Sequence, residues 1–434
     1  MPLLFIATSH YCPVHLAARW LMVVALLLLP TVGWSEDPPD FEIDLTTASE
    51  GFDGEMFWVL PRAGAIPPGE PGNDGPNPLV VMIMQRASRT GSDVYFDIYS
   101  LESNDFGKTW TTPNPQPALT RFPYDANLHS QKQLPNSFTT LMQPGDEITV
   151  CDIVPKWHAA SKTLLAIGQT CCYRNNRIFQ PRPRATAYTT YYPKTHSWND
   201  WKILQLPERK ELGNFGSGAA QRVDLENGEI LLPIFHRIPQ ALQNVSTVLR
   251  CAFDGETLTC LEEGTPLTVN ANRGVMEPSL TLYRGRFYLT LRNNDHGYVT
   301  TAGDGLRFEE PRRWTFDDGS DLGNYNTQQH WVTHRDGLFL IYTRKGANND
   351  HVMRHRAPMF ISRVDPEKLQ VIRETERILM PNRGARMGNF GVLDLTPDET
   401  WVTESEWMQP HGVEKYGSNN SIWVAKLKWN RPAR

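Results

Sequence analysis

Two stretches repeat the same four residues, Asn293–His296 and Asn348–His351, and each follows an arginine closely, Arg292 and Arg344. A histidine titrates near neutral pH and a neighbouring aspartate can fix its tautomer, so Asp295 and His296 form a candidate proton-transfer pair. The same Asn and Asp types also cap strand ends and turns, and this reading stands beside the first. Oxygen-rich Asp and Asn side chains would suit Ca²⁺ if they met on an axis. No motif calls for any other cofactor, and no Cys-His spacing suggests zinc.

More arginines and histidines fall in comparable places. Arg237, His330, His351 and His355 all sit where a strand-rich segment starts or ends, as do Arg62, Arg292 and Arg344. A guanidinium fork binds a carboxylate through two parallel hydrogen bonds and keeps its charge at any working pH. A cluster of such forks beside acids would make an anion site in a protein whose formal net charge is −5. That charge argues against bulk nucleic-acid binding.

The elements that must position these residues are short strands. Runs with period-2 alternation recur every ~45–60 residues, in six units, with Gly and Pro spread between them. Phe41–Leu45 can pair with the last unit and close a ring, which removes exposed sheet edges. No helix-period stretch of useful length stands outside the N-terminal segment. There, Trp20–Leu29 is an unbroken apolar run after Arg19, and Gly33-Trp34-Ser35 precedes Glu36 as a cleavage site would. This predicts a signal peptide over 1–35 and a secreted or periplasmic domain over 36–434, with no membrane attachment after cleavage. Five cysteines follow that segment, an odd number. Cys251 and Cys260 flank an Asp254-Gly255 turn, where a bridge and a pair of buried thiols are both open.

One stretch carries a more specific signal. Ser103 to Trp110 reads S-x-D-x-G-x-T-W. The hydroxyl and carboxylate can bond backbone N–H groups in a tight turn, the glycine supplies a positive φ, and the tryptophan plugs neighbouring strands. The run resembles the Asp box of the sialidase-like (BNR repeat) β-propellers. Degenerate echoes stand at Ser197-Trp198, Asp254-Gly255 and Asp304-Gly305. The resemblance implies an all-β, six-bladed β-propeller with Trp110 and Trp198 buried between outer strands.

Other segments are similar to the family's blades. Gly216-Ser217-Gly218 with Asn227–Pro233 resembles its third-blade pattern. Glu277-Pro278-Ser279-Leu280, then Arg284-Gly285-Arg286 and Leu291-Arg292, resembles the fourth. By that resemblance Glu277 supports a nucleophile and Arg292 is one of three arginines on a sugar carboxylate. Arg344 and Arg62 take the other two places by position, although the Y-R-I-P signature is absent around Arg62. Phe235-His236-Arg237-Ile238-Pro239 is similar to that signature but falls in the third unit. Asp93 lies where the family keeps its acid/base aspartate. The family's tyrosine nucleophile is missing: the place reads Asn389-Phe390-Gly391, with Tyr325 and Tyr416 as substitutes by position only.

The expectation is therefore a secreted glycan-active enzyme, a glycoside hydrolase on a carboxylate-bearing carbohydrate. Its catalytic candidates are Glu277, Asp295, His296, His330 and Asp93; its binding candidates are Arg292, Arg344, Arg62, Arg237 and His351. Two alternatives stand beside it. One is a lyase on uronic-acid polymers, in which Arg or His would neutralise the carboxylate and His or Tyr would remove the α-proton. The other is a non-catalytic propeller that binds glycan or protein.

Overall fold

A computed structural model describes residues 40–91, 93–206, 214–237 and 243–430. The 1–35 segment read as a signal peptide lies outside these residues. Among them the chain is an all-β β-propeller, made of six separate antiparallel sheets. The first sheet runs Met56–Ile66, Leu79–Ser88, Tyr95–Ser103 and the short Asn114–Pro115. The fourth runs Met276–Tyr283, Arg286–Arg292, Gly297–Ala302 and Arg312–Arg313. The last joins Gly391–Thr396, Glu399–Ser405 and Ile422–Trp429 to the N-terminal strand Phe41–Ser49. Phe41 pairs with Trp429 and Thr47 with Trp423, so both ends of the described chain share one sheet. Each sheet buries apolar side chains against its neighbours, and an inner strand such as Met56–Ile66, covered on both faces, is buried along nearly its whole length.

The Asp box works as its chemistry predicts. Ser103 Oγ accepts from Gly107 N and donates to Asp105 Oδ1, both at 2.9 Å. Asp105 Oδ1 also accepts the N–H groups of Lys108 and Thr109 at 3.0 Å each, and its Oδ2 accepts from Thr109 Oγ1 at 2.6 Å. The Thr109 hydroxyl and these amides hold the carboxyl at about 2. Gly107 has φ +68°, and a Cβ there would stand 2.9 Å from the Trp401 ring. The turn thus docks on the last sheet, where Lys426 Nζ donates to Phe106 O at 2.8 Å. Asp254 and Asp304 repeat the carboxylate-to-amide turn in degenerate form. Trp198 is buried, with its Nε1 donating to Ser100 Oγ at 3.0 Å. Trp110 departs from the expectation: it is only half-buried, tilted against Trp401 at 6.0 Å, because the box is a peripheral turn over the joint between first and last sheets.

Two short helices, Ala126–Lys132 and Asn136–Leu141, stand where no helix was expected, between the Phe122–Pro123 and Glu147–His158 strands of the second sheet. Asp125 caps the first by accepting from Leu128 N at 2.7 Å, and Phe138 buries the second. They are too short to show a helical period in the sequence. The described cysteines carry no disulfide; Cys251 and Cys260 face each other across a strand pair, and Cys151 Sγ lies 2.8 Å from Cys171 Sγ.

The feature that builds the site is a bulge in the first strand of several sheets. In the fourth sheet, pairing jumps from Met276–Arg292 to Ser279–Thr290, which leaves Glu277 and Pro278 opposite one residue. In the first sheet Leu60 and Pro61 are skipped in the same way, and in the second Asp152 and Ile153. Leu60, Asp152 and Glu277 all have left-handed φ, at 56°, 53° and 46°. A bulge bends the strand and re-aims the side chain it carries. Proline suits the skipped position because it has no N–H to leave unpaired.

Candidate active site

One cavity of about 660 Å³ collects the chemistry. Its acids are Asp93, Asp152 and Glu277, and all three have left-handed backbones, with Asp93 at φ 56°. A non-glycine residue in that region costs ~1–3 kcal/mol, and such strain concentrates at functional sites. Asp93 reaches the cavity from the loop between the second and third strands of the first sheet. Asp152 and Glu277 reach it from the bulges.

Each acid already holds an arginine. Arg292 Nη1 lies 2.7 and 2.5 Å from the two Glu277 oxygens, and its Nη2 donates to Asn326 Oδ1 at 2.7 Å. Arg182 Nη2 lies 2.8 Å from Asp93 Oδ2. Arg62 Nη2 lies 3.1 Å from Asp152 Oδ1, while Gln169 Nε2 donates to Asp152 Oδ2 at 3.1 Å. The three carboxyls do not titrate alike. Burial pushes Asp93 up, but the Arg182 charge and hydrogen bond outweigh it and hold the group below the usual carboxylate range. Burial likewise raises Glu277, and Arg292 overcomes it. For Asp152 burial wins: Arg62 offsets it only in part, the Glu277 and Asp93 charges add to it, and the carboxyl is pushed up.

The predicted site residues divide. Glu277, Arg292, Asp93 and Arg237 line the cavity. Arg62 is fully buried next to it and outside the lining, its Nε donating to Phe390 O at 3.3 Å and its Nη2 paired with Asp152. His296, His330 and Arg344, named as candidates with Glu277 and Arg292, do not join them in the cavity. Arg344 forms a fork with Glu376, at 2.8 and 2.6 Å, away from the cavity. His330 is buried, with Nδ1 2.6 Å from Ser279 Oγ and its ring edge-on to Phe390 at 4.5 Å; burial pushes it down to about 3. His296 Nδ1 lies 3.4 Å from Asp321 Oδ1, and Asp295 accepts from Asn272, both outside the lining. His351 is exposed against Tyr416. No histidine lines the cavity among the described residues.

The repeated Asn-Asn-Asp-His therefore follows its capping reading. Asn293 Nδ2 donates to Ala271 O at 2.9 Å and Gly274 O at 2.7 Å. Asn349 Nδ2 donates to Arg344 O at 2.9 Å and Ala357 O at 2.7 Å. Both asparagines are fully buried and tie their loops down. Phe390 is fully buried as well, and Tyr325 spends its hydroxyl on His355 Nδ1 at 2.6 Å. The tyrosine that does line the cavity is Tyr95, whose hydroxyl lies 3.4 Å from Asp93 Oδ1. Among the described residues no group of three His, Cys, Asp or Glu side chains is placed to hold a metal ion.

Sequence reasoning missed Asp152 and most of the arginines. Arg182 and Arg184 come from the second sheet's loop, Arg354 and Arg356 from the fifth sheet's, and Arg386 from the approach to the last sheet. A signal was present: both loops carry an Arg-x-Arg run, Arg182-Pro183-Arg184 and Arg354-His355-Arg356. Arg356 takes the cavity place expected of Arg344.

The sheets define an all-β β-propeller. No family model matches the chain, and no curated protein matches it by sequence. Solved structures do. A protein of unknown function from Dyadobacter fermentans superposes with a TM-score of 0.58 at 13% identity, covering 91% of this chain and 100% of that one. Trypanosoma rangeli sialidase, in complex with the inhibitor DANA, gives 0.55 at 12%, covering 88% of this chain and 59% of that one. The NanB sialidase of Streptococcus pneumoniae gives 0.57 at 11%, covering 88% and 70%. At these identities the likeness is one of fold.

Proposed function

We propose that the protein is a secreted or periplasmic glycoside hydrolase acting on an anionic sugar, with its six sheets forming six blades and residues 1–35 serving as a signal peptide. The observation that carries this reading is the cavity itself: acids whose environments push their pKa values apart, ringed by arginines, on a fold shared with sialidases. Asp152, the one acid of the three that burial pushes up, gives the proton to the glycosidic oxygen as the C–O bond breaks. Asp93 or Glu277, held ionised, takes a proton from the water that attacks the anomeric carbon. The arginines hold the sugar's negative charge. Phe390 offers no hydroxyl, so a covalent tyrosine route cannot run through that position. Among the described residues the lyase reading loses its histidine bases, which stand outside the cavity, and keeps only Tyr95 as a candidate base.

The test is to incubate the full chain with fluorogenic sialosides and glucuronides and to follow the products by NMR. Release of a saturated reducing sugar, abolished in Asp152→Asn, supports hydrolysis. An unsaturated uronate product favours the lyase, and ligand binding without turnover favours the non-catalytic propeller.

A further inference from the structure

The cavity holds far more positive charge than its acids can neutralise. Glu277 is taken by Arg292, Asp93 by Arg182 and Asp152 by Arg62. Arg184, Arg273, Arg354, Arg356 and Arg386 line the same space, and none makes an ion pair with an acid among the described residues. Neutral groups hold them instead. Arg184 lies over Phe235 at 4.5 Å and Arg386 over Trp407 at 4.7 Å. Arg386 Nη2 donates to Gln409 Oε1 at 2.5 Å, and Arg273 Nη2 to Asn294 Oδ1 at 3.0 Å. Arg356 donates to the Asn326 carbonyl. Such contacts fix the planes of the guanidinium groups without cancelling their charge.

This arrangement is costly when empty. Arg356 and Arg386 are each only 3% exposed. Burial and the neighbouring Arg292 charge push Arg356 well below its ordinary value, and burial with the Arg182 charge brings Arg184 down to about 10. The Nε groups of Arg292, Arg356 and Arg386 and the Nε1 of Trp407 are buried with no acceptor among the described residues. Buried donors without partners are rare in native proteins, and a cluster of them around one cavity marks where an acceptor-rich ligand belongs. Even a carboxylate clamped by about three arginines would leave two of these five lining arginines without an anion. It would leave the rest of this set desolvated and mutually repelling.

We infer that the bound segment of the ligand carries at least two anionic groups, as in a sulfated or multiply carboxylated uronate glycan, with Arg356 and Arg386 taking one group in the interior and Arg273 and Arg354 a second at the mouth. This rests on the anionic-sugar reading of the same cavity and sharpens it. The deep pair is buried, while Arg273 and Arg354 are exposed, so the two positions differ in depth.

The experiment is titration calorimetry on the full chain at one fixed salt concentration. The ligands are a uronate disaccharide with no, one and two sulfate groups, and inorganic pyrophosphate as a polyanion without sugar. The expected result is that the disulfated disaccharide binds at least ~10-fold more tightly than the unsulfated one, a difference well within reach of one added charge-assisted contact. That increment should shrink in Arg354→Gln and in Arg273→Gln. Both side chains are exposed at the mouth, so the variants should keep the wild-type unfolding midpoint. Equal affinity for the unsulfated and disulfated sugars would overturn the inference and leave the anionic-sugar reading standing. Pyrophosphate binding as tightly as the disulfated sugar would overturn it too, since the site would then read charge alone. If none of the three disaccharides binds, the anionic-sugar reading falls with it.

Discussion

Arg292 closes on Glu277 inside the cavity, its Nη1 2.7 Å from one carboxylate oxygen and 2.5 Å from the other, with both side chains mostly buried. Glu277 is aimed there by a bulge, and Arg292 ends the strand that the bulge faces. Cutting Arg292 back to alanine leaves a buried carboxylate without its partner. The expected loss is ~1–3 kcal/mol of unfolding free energy, the cost of a buried group left without its hydrogen-bond partner, because the Arg356 and Arg273 charges still face the carboxylate. Chemical denaturation of Arg292→Ala measures it. A loss under ~1 kcal/mol would mean that water reaches the pair freely.

Glu404 is fully buried and accepts the N–H groups of Gly388, Asn389 and Ser405, the last two at 2.9 and 2.7 Å. Burial nonetheless raises its carboxyl to about 7. The fold therefore favours the protonated form. Its contribution is fully present below the ordinary glutamate range and is lost as pH rises through about 7. The size of that change is ~3 kcal/mol. Unfolding free energy measured from pH 4 to 8 should carry this downward slope, and Glu404→Gln should remove it.

His330 works in the opposite direction. Burial holds its ring neutral, with its pKa down at about 3. The unfolded ring takes up a proton below about 6.5, so this contribution is full above that pH and is lost as pH falls towards 3. NMR of the ring should show no titration of His330 between pH 5 and 8. A midpoint near neutrality would place the ring in solvent and reopen a catalytic role.

The Asp box should matter for stability and not for binding. Asp105 accepts three hydrogen bonds beyond that from Ser103, and at ~0.5–1.5 kcal/mol each, reduced by exposure, Asp105→Ala should cost ~2 kcal/mol. Titration with a uronate disaccharide should give the wild-type affinity. A changed affinity would show that the turn communicates with the cavity.

Restoring a hydroxyl at position 390 should not create a sialidase. Phe390 is fully buried against His330, outside the cavity lining. Phe390→Tyr buries a new polar group and should destabilise by ~1–3 kcal/mol. A fluorinated sialic-acid trap should leave no adduct on that tyrosine by mass spectrometry, and an adduct there would put the residue at the reacting centre.

Local chemistry carried the architecture into the sequence. The Asp box, its Asp-Gly echoes, the strand alternation and the capacity of Phe41–Leu45 to close the last sheet all act within a few residues or through simple pairing, so a single chain displays them. Glu277, Asp93, Arg292 and Arg237 were legible as site candidates because family-like segments or loop positions marked them. What tertiary structure alone decided was the choice of partner. Arg344 looked as eligible as Arg356, yet Glu376 captures it through a fork while Arg356 is left in the cavity. Asp152 had no motif, and only a skipped ladder position turns it into the cavity. His330 and Arg62 became buried supports because the strands that carry them pack inward. Which charged side chain is neutralised and which is left for a ligand depends on groups brought close by the ring and far apart in the chain; spacing along the sequence carries no record of that competition.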